Sequence, residues 1–259
     1  MHSEAIEHYN RGVRFLGSGE LAEAEREFRK CIELQPGFAE AYNNLGLVLA
    51  SRGDPKEAEK SFRKAIRLQP RYTIAYLNLA NLLVSLARYA EAETAIRKAI
   101  ELEPGFAGAH YNLGHLLFME GRLMEAEAEF KEAIRLEPRL HAPYLMLGLI
   151  YHDTGRYHEA EKEYLNALSA DPNLAQAHFN LGLLYASQKR YLEAEKHFRE
   201  AMRIYPDDPE AHANLGLCLH KQGKNKEARE EITKAINLME SQGRWEEVHY
   251  LRGLLDEIR

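Results

Sequence analysis

Twelve histidines, two cysteines and a recurrent glutamate are the residues of this chain with the most obvious chemical potential. Metal binding would need imidazoles or thiolates at a fixed close spacing, such as His-Glu-x-x-His or Cys-x-x-Cys, and neither pattern occurs. Nucleophilic or phosphate chemistry would need a Gly-x-Ser-x-Gly elbow or a glycine-rich phosphate loop, and both are absent. Cys31 and Cys218 are too far apart in sequence to suggest a disulfide framework. The sequence therefore predicts no catalysis, no metal and no cofactor.

What organises these residues is a period. Pro36, Pro70, Pro104, Pro138, Pro172 and Pro206 follow one another at 34-residue intervals without insertion. Such a period is the mark of a stacked helical repeat. With the proline at position 32, seven repeats run 5–38, 39–72, 73–106, 107–140, 141–174, 175–208 and 209–242. Together with the C-terminal segment they make one array over 1–259. Position 8 is small (Gly12, Gly46, Ala80, Gly114, Gly148, Gly182, Gly216) and position 20 is always alanine. Position 24 is large and apolar (Phe28, Phe62, Ile96, Phe130, Tyr164, Phe198, Ile232). Positions 4, 7, 8 and 11, and again 20, 24, 27 and 28, fall on one helical face each. A turn with glycine at position 15 separates them in five repeats, and the proline ends the second helix.

The frame gives the reactive residues duller roles. His8, His110, His178 and His212 share position 4 with Tyr42, Tyr76 and Tyr144, a slot for a medium-sized ring. Cys31 stands in the alanine slot at position 27. Glu23 and its six equivalents at position 19 sit early in the second helix, where an acid complements the helix dipole. Arg11 replaces the leucine of position 7 and reads as a polar first face. From Gly243 the chain places Trp245, Val248, Leu251, Leu255 and Ile258 at helical spacing, a capping helix over 243–259 with the tryptophan as a capping residue.

Small-at-8, Ala-at-20, aromatic-at-24, Ala-at-27 and Pro-at-32 resemble the tetratricopeptide repeat, and AYNNLGLVLA (41–50) and AHYNLGHLLF (109–118) are similar to its first helix. The resemblance covers the seven repeats. It implies an all-α fold, a right-handed alpha-alpha superhelix of helix-turn-helix repeats, in which first helices line a concave surface through positions 2, 5, 6, 9, 12 and 13. Position 6 there reads Asn10, Asn44, Asn78, Asn112, Met146, Asn180 and Asn214. An amide both donates and accepts, so such a row can grip a peptide backbone with little regard for its sequence. It can also bridge neighbouring helices. The row resembles the asparagine ladder in the repeats of O-GlcNAc transferase, whose catalytic domain has no counterpart in this chain. Leu77, Tyr111, His115, Phe118, Leu145, Leu149, Phe179 and Leu183 add an apolar wall to the same positions. No lysine occupies position 5 and no basic residue position 2 or 6, so a clamp for acidic chaperone tails is not expected.

The implied function is a non-enzymatic scaffold that binds an extended or helical polypeptide segment with apolar anchors. The alternative is a self-associating structural module. A net charge of −6 with mixed signs argues against nucleic acid. No apolar run approaches a membrane span and no signal peptide is evident, so a cytoplasmic setting is expected.

Overall fold

The computed structural model describes residues 2–258 and is helical throughout, with no strand among the described residues. The chain forms two compact units, one ending at Leu136 and one beginning at Glu137. The first contains α1(His2–Gly17), α2(Leu21–Leu34), α3(Ala39–Ser51), α4(Pro55–Leu68), α5(Thr73–Ser85), α6(Tyr89–Leu102), α7(Ala107–Met119) and α8(Leu123–Leu136). The second contains α9(His141–Asp153), α10(Tyr157–Ala170), α11(Ala175–Ser187), α12(Tyr191–Ile204), α13(Pro209–Lys221), α14(Asn225–Ser241) and α15(Trp245–Glu257). Each 34-residue period thus holds one pair of helices.

Packing within a pair explains positions 8 and 24. A Cβ on Gly46 would lie 2.6 Å from the Phe62 ring, and one on Gly148 only 2.3 Å from the Tyr164 ring. The ring of the second helix lies directly on the backbone of the first, which only glycine allows. Repeat 3 solves the contact differently: Ala80 supplies a methyl and Ile96 replaces the ring. Ala24, Ala58, Ala92, Ala126, Ala160, Ala194 and Ala228 at position 20 are all fully buried.

The position-15 glycines turn the chain between helices with φ between +75° and +80°. Ala87 and Lys189 hold this left-handed conformation in repeats 3 and 6, at φ +56° and +62°, where a Cβ is disfavoured. Within each unit, second helices are tied electrostatically to their neighbours. Arg88 meets Glu91 in its own helix at 2.7 Å and Glu59 in the preceding repeat at 2.6 Å. Arg122 repeats the pattern with Glu125 and Glu93, and Arg190 with Glu193 and Glu161. Glu91, Glu125 and Glu193 at position 19 are therefore ion-paired as well as placed at a helix start.

The position-4 ring reaches back to the preceding proline. Tyr76 and Tyr144 donate to the carbonyls of Pro70 and Pro138, both at 3.2 Å. His110 Nε2 lies 3.1 Å from the Pro104 carbonyl and His212 Nε2 2.8 Å from that of Pro206. This contact joins the end of one repeat to the start of the next. First helices of neighbouring repeats touch within each unit, from α1 to α7 and from α9 to α13, whereas second helices make no comparable contact. First helices accordingly line the inner side of each unit.

Two end residues depart from expectation. Trp245 is 64% exposed and caps nothing; Val248 and Leu251 are the buried members of α15, and Ile258, just past its end, is buried as well. Arg229 fastens that helix by donating to the carbonyls of Leu255 and Ile258 at 2.7 and 2.6 Å. Arg11 is half-buried, not a free polar face. It lies 3.2 Å from the buried Glu27 carboxylate, which also takes His8 at 2.6 Å. Where repeat 7 has Glu240 in place of proline, α14 runs on to Ser241.

Candidate functional site

The residues with reactive potential are held in structural roles. Both thiols are buried, and burial pushes each up to about 11, away from a reactive thiolate. Among the described residues no group of three or more His, Cys, Asp and Glu could hold a metal. His110 and His212 face Glu129 and Glu231 at 2.7 and 2.5 Å across the helix pair.

Repeat 6 breaks that pairing, because His197 stands where the other repeats with a position-4 histidine have glutamate. His178 Nε2 donates to the Pro172 carbonyl at 3.3 Å, which leaves its Nδ1 to accept from His197 Nδ1 at 3.0 Å. Burial and the neighbouring imidazole lower His197 to about 4, and burial lowers His178 too.

The position-6 row divides into three groups. In the first unit Asn78 donates to Asn43 at 2.9 Å, Asn43 to Asn44 at 3.3 Å, and Asn44 to the Tyr9 hydroxyl at 3.1 Å. Asn112 donates to Asn81 at 3.4 Å. These amides bridge successive first helices, and Asn10 is exposed at the open end. In the second unit Asn214 is turned to its own helix, donating to the Glu210 carbonyl at 2.8 Å. Asn180 differs from all of these. It is 6% exposed, its oxygen accepts from Gln176 at 3.0 Å, and its Nδ2 has no acceptor.

The apolar wall is less open than its sequence suggests. Leu77 and Met146 are only 6% and 9% exposed, so neither offers much surface to a ligand. In the first unit Tyr111, Asn112 and His115 gather with Asn81 and Val84 around a hollow of about 200 Å³. Tyr111 and His115 lie ring to ring, with centroids 6.2 Å apart, while Phe118 is half-buried one turn further on. In the second unit Leu145, Leu149, Phe179 and Leu183 are half-buried on first helices, and Phe179 sits edge-on to Phe198 at 5.7 Å. The position-6 pattern does not contain Asn43 and Asn81, which take the bridging bonds of Asn78 and Asn112. Asparagines at positions 5 and 9 of first helices are the only sequence signal of that bridging.

Tetratricopeptide repeat profiles match residues 8–38, 39–72, 77–140, 145–209 and 185–254. No curated protein sequence matches the chain. Among solved structures, PilF of Pseudomonas aeruginosa is 22% identical with a TM-score of 0.72, over 81% of this chain and 95% of that one. The Cut9–Hcn1 hetero-tetramer of the APC/C is 23% identical with a TM-score of 0.71, over 83% of this chain. This chain spans only 43% of that relative's length. YrrB, described as a repeat protein with an unusual peptide-binding site, is 26% identical with a TM-score of 0.55, over 71% of this chain and 95% of that one. Profile matches running almost end to end, over a helix pair in every 34-residue period, place the chain in the tetratricopeptide repeat family.

Proposed function

We propose that the chain is a non-enzymatic interaction module that holds an extended polypeptide segment against the inner face of its first helices. The observation that carries this reading is Asn180. A buried amide donor without an acceptor costs about 1–3 kcal/mol, and folded proteins keep such groups rarely. Gln176, Phe179, Asn180 and Leu183 share one helix face by their spacing. With the exposed Gln176 side chain turned aside, a peptide carbonyl seated here would accept from Asn180 Nδ2 while its neighbours cover Phe179 and Leu183. Tyr111, Asn112 and His115 offer a comparable polar-and-aromatic hollow in the first unit. The backbone-gripping ladder is thereby narrowed to the amides whose donors are not engaged elsewhere. The peptide-binding description of YrrB is in keeping with this reading.

The test is Asn180→Leu, measured against an array of unrelated peptides. The free protein should become more stable, by about 1 kcal/mol. Affinity should fall several-fold for all bound sequences alike, because a backbone contact is lost. Unchanged affinities in the variant would remove Asn180 from the site. Sedimentation of the free protein separates a foreign peptide from a second copy as occupant: a concentration-dependent dimer abolished by Asn180→Leu would favour self-association.

A further inference from the structure

The second helices carry a different opening. Position 23 holds Glu27, Glu129, Glu163, His197 or Glu231 in five repeats, and these side chains fill the space beside the position-4 ring. Repeats 2 and 3 have Ser61 and Ala95 there. The space left is a cleft of about 740 Å³ between α4 and α6, floored by Tyr76, Leu79 and Ile66. A second cleft of about 410 Å³ lies one repeat earlier, between α2 and α4, floored by Tyr42, Leu45 and Ile32. Residues of the two clefts correspond position for position. Both lie wholly within the first unit.

The rims are cationic in a chain whose net charge is −6. Arg63, Arg67, Arg97 and Lys98 stand around the larger cleft against Glu91 and Glu101. Most of these charges are spoken for: Arg63 pairs with Glu59 and Glu91, Arg97 with Glu93, and Lys98 with Glu101. Arg67 is the exception. It lines both clefts, is exposed, and has no hydrogen-bond or ion-pair partner among the described residues. A free guanidinium between two clefts with apolar floors and charged rims is complementary to a carboxylate flanked by two apolar groups.

We propose that α2, α4 and α6 form a second binding site, for a short acidic peptide segment carrying two large apolar side chains. The two floors lie chiefly on α3 and α5, first helices in contact, and helices in contact pack about 10 Å apart. An extended chain advances about 3.3 Å per residue, which puts the two anchors three residues apart with an acid between them. One anchor enters each cleft and the acid pairs with Arg67. The walls of this site are second helices and its floors include Tyr42, Leu45, Tyr76 and Leu79 of α3 and α5, none of which belongs to the inner-face row or wall, so it does not depend on the inner-face reading.

The probe is a fluorescein-labelled hexapeptide, SFEEFS, with SFKKFS as its charge-reversed counterpart, titrated by anisotropy. SFEEFS should bind the full chain at least ten-fold more tightly than SFKKFS. Arg67→Glu touches no structural contact and should weaken SFEEFS at least ten-fold. Ala95→Glu should do the same by filling the larger cleft. It recreates the Tyr144 and Glu163 combination of repeat 5, so the fold already accommodates it. Asn180→Leu should leave SFEEFS binding unchanged, which separates this site from the inner face. The proposal is overturned by no binding at 1 mM, by equal affinity for the two peptides, or by an Ala95→Glu variant that binds normally. It is also overturned if octanoate binds at Arg67 while SFEEFS does not, since the cleft would then serve a small amphipathic acid.

Discussion

Ala87 and Lys189 are two residues in a conformation that five other repeats reserve for glycine. Glycine populates this region without a Cβ penalty, and the native backbone already demands it. The strain outweighs the extra chain entropy that glycine brings to the unfolded state. Ala87→Gly and Lys189→Gly should each raise stability, by about 0.5–1 kcal/mol, seen as a shift of the chemical unfolding midpoint at constant slope. A lower midpoint in either variant would contradict the strain. The same scale shows where the sequence could not be read. The row at position 6 was visible, but the direction of each amide depends on what stands across from it. Asn43 and Tyr9 occupy Asn78 and Asn44, whereas Asn180 faces no acceptor. Ala95 was equally inconspicuous, because a cavity is made by the atoms a residue lacks.

Helix pairs were far more legible. Small residues at position 8 and rings at 24 announce a close crossing, and the structure has the ring lying on the glycine. What the pattern concealed is the pairing across positions 4 and 23, whose chemistry changes sign in repeat 6. His178 and His197 are set against each other, with Glu193 and Glu200 favouring the charge on His197 and Lys196 opposing it. Both imidazoles have native values below the ordinary one near 6.5. Above that pH both are neutral whether folded or unfolded, and stability is unaffected. Below it the unfolded chain takes up protons that the folded pair resists, so stability falls from about pH 6.5 to about 4. Allowing for solvent screening, the loss is about 1–2 kcal/mol. The Arg-paired carboxylates, lowered by Arg88 and Arg122 among others, begin to lose stability only as the pH approaches their unfolded value of 4.5, so the stretch from about pH 6.5 to 5 reports the imidazoles. Thermal melts of the wild type and His197→Glu between pH 7 and 5 should diverge, with the variant flat. Parallel curves would exclude the pair as the cause.

At the scale of the whole molecule there is no single centre to collapse around. Stability is a sum of helix-pair and neighbour terms, and elements with one neighbour are the weakest. The 34-residue period alone specifies this architecture. It did not announce which face of the last helix is wet, because Trp245 and Val248 are both apolar and only packing against α14 distinguishes them. α15 packs chiefly on α14 and depends on Arg229 for its last turn. Hydrogen exchange should therefore show α15 as the least protected helix from residue 137 onward. Arg229→Ala should accelerate exchange in that helix roughly ten-fold, as expected for a hydrogen-bonded charge of about 1.5 kcal/mol. Uniform protection from α9 through α15 would contradict this.

The ring that reaches back over six residues to the proline carbonyl makes the connector between repeats a ruler. One residue more or less would carry the ring past its carbonyl and the following helix out of step. The turn at position 15 has no ring fixed on a backbone carbonyl; it is tethered by partly exposed ion pairs between long side chains, such as Arg88 with Glu59, which adjust to a change of length. Length variation in a lineage of such arrays, and epitopes or reporters grafted by an engineer, should accordingly accumulate at that turn and avoid the proline junction.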